Sequence, residues 1–144
     1  MQGFPHHYRV SGQAGNESTV TLAAAGLPDL ATMPPPEFGG PEGYWSPETL
    51  LTASVADCFI LTFRAIASAS KLDWSAIAVD VEGTLDRTGG VMKFTRFDLK
   101  ARLTVPAGTD HDKAERILHK SESACLVTAS LATENHLATE IVEA

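Results

Sequence analysis

Basic residues are scarce in this chain: 11 lysines and arginines stand against 18 aspartates and glutamates, giving a net charge of -7 at pH 7. A protein that neutralises phosphates needs clustered Lys and Arg. The balance therefore excludes nucleic acid as a partner, and it is equally unsuited to docking on an anionic membrane. Internal repeats are absent, and no low-complexity tract exists beyond Pro34-Pro35-Pro36. Met1 to Val10 has no charged start followed by an apolar run, so no secretory signal is expected. An uninterrupted apolar stretch is also lacking, because Leu50 to Ala69 is broken by Asp57 and Arg64 and by several hydroxyl residues. That segment reads as a buried helix of a soluble protein rather than a membrane span. Cysteine is nearly absent. With no export signal, the two that exist, Cys58 and Cys125, read as thiols rather than a structural disulfide, which suggests a cytoplasmic protein. Neither Cys-x-x-Cys nor His-x-x-x-His spacing occurs, and a structural zinc usually takes four ligands, so no metal is expected.

What is present suits one ordinary domain over residues 1–144, with 44% hydrophobic and 20% charged residues. Tyr8–Ser11 and Ser18–Ala23 read as short strands around the turn-prone Gly12 to Asn16. From Gly26 to Trp45 the chain is rich in Pro and Gly, which predicts a long irregular loop. Such a loop inside a compact domain is often functional. Ser46-Pro47-Glu48 is a helix start: the serine hydroxyl caps a free backbone N–H, and proline at the first helical position has none to satisfy. The spacing of Leu51, Val55, Cys58, Thr62, Ala65 and Ala69 predicts one apolar face on a helix running to about Ser70. Alternation at Ile77, Val79, Val81 and Leu85 predicts a half-buried strand, and Gly89-Gly90 a turn. Phe97, Leu99, Ala101, Leu103 and Val105 alternate in a second strand. Phe94 falls out of phase with them, which predicts a bulge near Thr95. Asp110 opens another helix, with Ala114, Ile117, Leu118 and Ser121 on one face and Cys125 in the same phase. A final strand is expected over Leu137–Val142. Segregated strands and helices of this kind indicate an α+β fold, with antiparallel sheet packed on helices.

Cys58 lies mid-helix on the apolar face, where a free cysteine often serves only as a small hydrophobe. The same bland reading applies to Cys125. The pair points further, because each of two helices carries a single cysteine on its inward face. A thiolate beside a second thiol can be oxidised by a peroxide to a sulfenic acid and then closed to a disulfide. Spacing alone leaves open whether they meet, since 67 positions separate them.

The segment Glu37-Phe-Gly-Gly-Pro-Glu-Gly-Tyr-Trp-Ser-Pro-Glu48, followed by Thr-Leu-Leu-Thr-Ala-Ser-Val-Ala-Asp-Cys58-Phe, resembles the signature of the OsmC/Ohr family, in its OsmC-like branch. These are osmotically inducible protein C and the organic hydroperoxide resistance proteins. Ser121-Glu-Ser-Ala-Cys125-Leu-Val is similar to the family's second cysteine region. The resemblance implies an OsmC/Ohr-like α+β fold, an antiparallel sheet packed on two main helices, and an intertwined homodimer with active sites at the subunit interface. It implies that Cys58 is the peroxidatic cysteine, Cys125 the resolving one and Glu48 the active-site glutamate. The implied substrate is a small organic hydroperoxide, and the implied reductant an external dithiol such as a lipoyl group, with no bound cofactor or metal. A carboxylate in a first helical turn can also serve only the helix dipole.

One departure stands out. Hydroperoxide-reducing members carry an arginine in the loop after the first strand, whereas Gly12 to Ser18 contains none here. A nearby cation is what lowers a cysteine pKa into the reactive range. Arg9, His6, His7 and Arg64 are the other cations to consider, and Asp57 would oppose a thiolate if it pointed inward. The departure keeps a second reading open, a dimeric small-molecule-binding protein of the same fold with little peroxidase activity. Phe38, Tyr44 and Trp45 could line an apolar pocket or simply pin the loop.

Overall fold

The computed structural model describes residues 1–144, which form two compact units, Met1–Leu50 and Leu51–Ala144. The N-terminal unit holds a small antiparallel sheet in the order β1 (Ser11–Gln13), β2 (Val20–Ala23), β3 (Leu30–Thr32). β1 therefore begins where Tyr8–Ser11 was expected to end, and its pairing with β2 takes up part of the expected turn. β3 lies inside the stretch expected to be irregular. It forms because Leu30-Ala-Thr32 can pair with β2 between the surrounding prolines and glycines. A 3-10 turn follows at Pro36–Phe38, and Gly39 closes it with φ 81°. At Gly40 a Cβ would stand 1.8 Å from the Pro34 carbonyl oxygen, so only glycine lets the loop fold back here.

Helix α1 (Pro47–Ala69) starts as the sequence predicts. The Ser46 hydroxyl accepts from the Thr49 N–H at 3.1 Å, the N-cap expected of serine before proline. Its buried stripe is Val55, Phe59, Phe63 and Ala67: Val55 lies on the predicted face, while Phe59 and Phe63 stand one position beyond the predicted Cys58 and Thr62. Cys58 and Thr62 sit at the edge of that stripe, half-buried, while Ala65 and Ala69 are exposed. The bulky Phe side chains decide this, because Phe59 and Phe63 each bury more apolar area than the Cys58 and Thr62 that precede them.

The second unit is built on a sheet in the order β4 (Ala76–Thr88), β5 (Val91–Val105), β6 (Glu134–Glu143). Gly89 and Gly90, at φ 59° and 80°, make the β4–β5 turn. Thr84 pairs with Arg96 but Leu85 with Phe94, so Thr95 is the extra residue of the predicted bulge. Phe97, Leu99, Ala101, Leu103 and Val105 of β5 are all buried and form the centre of the core. Residues of α1 and of α2 (His111–Ala124) complete it: Val55, Phe59, Phe63, Ala114, Ile117 and Leu118. Gly83 of β4 allows close approach, since a Cβ there would lie 2.7 Å from a Phe97 ring carbon and 2.9 Å from the Thr52 hydroxyl.

Asp110 caps α2, accepting from the Lys113 N–H at 3.1 Å, and Ala114, Ile117, Leu118 and Ser121 are buried as expected. A second short helix, α3 (Leu126–Ala129), follows directly. The fold is α+β, with one difference of detail from the antiparallel expectation: β6 runs parallel to β5. The intervening helices carry the chain back to the starting end of β5, as a parallel pairing requires.

Candidate functional site

Cys58 is half-buried on α1 and Cys125 is buried between α2 and α3. Cys125 is the last residue of one helix's cap and the first of the next, with an extended backbone at φ −64° and ψ 111°. That break turns the chain so that its N–H bonds back to the Glu122 carbonyl at 3.2 Å while its carbonyl accepts from Ala129 at 3.0 Å. The break also frees the backbone N–H groups of Leu126 and Val127 from any helical acceptor, and both serve the Cys58 sulfur as donors. The Cys125 thiol is within hydrogen-bonding reach of the same sulfur. From its own helix, one turn on, the Thr62 hydroxyl lies 3.9 Å from Cys58 Sγ.

The two thiols are driven apart in acidity. Burial pushes the Cys58 thiol up, but the Val127 N–H, the Cys125 thiol, the Thr62 hydroxyl and the Leu126 N–H together outweigh it. The net direction for Cys58 is below its ordinary value, because donors stabilise the charged form. Burial pushes the Cys125 thiol up as well; hydrogen bonds from Thr128 oppose this, and the neighbouring Cys58 adds to it. A single negative charge shared by this pair therefore resides on Cys58, with Cys125 still protonated beside it. That arrangement suits a nucleophile with a second thiol ready to attack its oxidised form.

Of the predicted residues, Cys58 and Cys125 are brought together. Glu48 is half-buried in the first turn of α1 and belongs to the N-terminal unit. Asp57 is exposed rather than turned inward, and Arg64, Arg9, His6 and His7 are also exposed. Phe38, Tyr44 and Trp45 are each about half exposed, at 52%, 47% and 48%. In the sequence Thr62 was read only as part of the apolar face of α1, and Leu126 and Val127 had no assigned role. A hydroxyl four residues after a helical cysteine was the available signal for Thr62. The backbone donors had none, because the helix break at Cys125 carries neither glycine nor proline. No three His, Cys, Asp or Glu side chains gather closely enough to hold a metal ion.

Residues 39–140 match the OsmC-like protein family. The uncharacterized protein YmaD of Bacillus subtilis is 23% identical over 129 residues, covering 88% of this chain and 86% of that protein. An OsmC-like protein of unknown function from Vibrio cholerae superposes with a TM-score of 0.84 at 17% identity, over 96% of this chain and all of that one. The organic hydroperoxide resistance protein OsmC of Legionella pneumophila gives 0.79 at 22% identity, over 96% of this chain and 99% of that one. The organic hydroperoxide resistance protein OhrB of Bacillus subtilis gives 0.70 at 17%, over 94% and 98%. A matched segment that spans most of the chain and holds Glu48, Cys58 and Cys125, on a shared α+β fold, makes this chain a member of the OsmC/Ohr family.

Proposed function

We propose that this protein is a thiol peroxidase that reduces small organic hydroperoxides through Cys58 and Cys125. The observation that carries the reading is that Cys58 and Cys125 lie within hydrogen-bonding reach, the Cys58 thiol lowered by surrounding donors and the Cys125 thiol raised by burial. Family membership and the hydroperoxide-resistance names of the Legionella and Bacillus proteins support it. The Cys58 thiolate attacks the outer peroxide oxygen, the O–O bond breaks, and the alkoxide takes a proton and leaves as alcohol. Cys58 is then a sulfenic acid. The Cys125 sulfur displaces its hydroxyl as water, forming the Cys58–Cys125 disulfide. An external dithiol, of the lipoyl type, restores both thiols by exchange. Glu48 is assigned to the active site on its place in the family segment, and no bound cofactor enters the cycle.

The active unit in this reading is a cytoplasmic, intertwined homodimer of single-domain chains. Large apolar side chains left uncovered in one chain support it: Phe4 is 91% exposed, Tyr8 87% and Val10 67%. Light scattering then gives about twice the 15.3 kDa chain mass; a monomeric mass discards the dimer.

The deciding experiment is the intact mass of the reduced protein after brief exposure to a small excess of cumene hydroperoxide. Loss of two hydrogens, absent in Cys58→Ser and in Cys125→Ser, is expected. Two free thiols and an unchanged mass would discard the peroxidase and favour the small-molecule-binding reading, which the arginine-free loop Gly12 to Ser18 motivates.

A further inference from the structure

We propose that the Thr62 hydroxyl is a positioning donor that, beside the Cys125 thiol, holds the Cys58 sulfur as a thiolate, so that Cys58 is activated by hydrogen bonds from its own helix and the α2–α3 break. This rests on the reading of Cys58 as the nucleophile and names a further residue that acts on its reacting atom.

Helical hydroxyls ordinarily turn back on the preceding turn of their own backbone. Ser54, Ser121, Ser123 and Ser130 do so here, donating to the carbonyls of Leu51, Ile117, His119 and Leu126 at 2.6–3.2 Å. The hydroxyl of Thr62 is directed instead to Cys58 Sγ, one turn back on α1 and 3.9 Å away. Thr62 is half-buried, one position before the buried Phe63, and its restricted χ1 holds the hydroxyl in few directions. The Leu126 and Val127 N–H groups and the Cys125 thiol serve the same sulfur. These donors carry no formal charge, yet a thiolate is stabilised by any group that donates to it. Charged side chains on the surrounding elements are placed less favourably for this task. Asp57 and Arg64 on α1 are exposed, Glu48 stands ten residues before Cys58 in the first turn of α1, Glu122 near the end of α2 is half-buried, and α3 carries none.

The test is the pH titration of Cys58 itself, read as the rate of its alkylation by iodoacetamide with the site confirmed by peptide mass. It uses the full chain with Cys125 intact. Thr62→Val keeps the shape and removes the donor, and Thr62→Ser restores a donor without the methyl. Loss of one hydrogen bond to a charged sulfur is expected to raise the Cys58 midpoint by about one pH unit, with an alkylation rate near neutral pH roughly tenfold lower. Thr62→Ser is expected to titrate close to the wild type. Should Thr62→Val fail to fold, Thr62→Ala supplies the donor-free variant. An unchanged midpoint in the donor-free variant, or a shift that Thr62→Ser does not reverse, overturns the proposal and leaves Thr62 as packing. The readout needs no hydroperoxide. A shifted midpoint in a protein that consumes no peroxide supports the role of Thr62 while discarding the peroxidase reading.

Discussion

The two halves of this chain are ordered by different means. Residues 51–144 own a core: all five alternate positions from Phe97 to Val105 are buried, and two helices contribute Phe59, Phe63, Ile117 and Leu118 to the same cluster. Residues 1–50 have almost none, since the only buried side chains there are Thr32 and Ser46, and residues 1–18 are exposed throughout. Strands of three and four residues and a glycine-dependent loop hold this half through local hydrogen bonds. Burial of apolar area supplies most folding free energy, so the second half rests on its own core while the first leaves most of its large apolar side chains, such as Phe4 and Tyr8, uncovered. The homodimer proposed above is one partner that would cover them.

The largest test of the contrast is Phe59→Ala. Phe59 is fully buried, and its truncation is expected to cost about 3–5 kcal/mol in chemical denaturation. Tyr8→Ala in the other half is expected to change unfolding little in a dilute monomer, and to lower the midpoint in a concentration-dependent way only if the dimer covers it. A loss as large as that of Phe59→Ala in a monomer would erase the distinction.

Gly40→Ala sharpens the comparison from the side of the N-terminal half. The added methyl meets the Pro34 carbonyl, and overpacking of this kind is expected to cost about 1–3 kcal/mol. Because that half is held locally, limited proteolysis is expected to cut the variant first within residues 34–45, with the second unit still protected. Protection of that loop equal to wild type would show that the backbone shifts at no cost.

The smallest expected effect is one of order in reactivity. Cys58 is held below the ordinary thiol value and Cys125 above it. Near neutral pH, iodoacetamide is therefore expected to label Cys58 at least about tenfold faster, with the preference shrinking as pH rises. The linkage signs follow from the same directions. The stabilising contribution of Cys58 is present above the pKa of its unfolded thiol and is lost as pH falls through the folded value. That of Cys125 is present below its unfolded pKa and is lost as pH rises through the folded one. Equal labelling of the two would remove the asymmetry on which the nucleophile assignment stands.

Sequence by itself determined much of the second half. The cap at Ser46, the bulge at Thr95, the buried alternation of β5 and the face of α2 were all legible. Each follows from period, capping or turn chemistry acting over a few neighbouring residues. The signature around Glu48 and Cys58 was enough to indicate the family. Tertiary structure decided what depends on residues distant in the chain. It shifted the buried stripe of α1 to the phenylalanines, because the faces it packs on, and not its own spacing, choose which side chains are covered. It ran β6 parallel to β5, since strand direction depends on how the intervening helices return. And it surrounded the Cys58 sulfur with Val127, Leu126, Cys125 and Thr62. Three of those donors come from a helix break 67 positions away, and no local pattern encodes a hydrogen bond made across that distance.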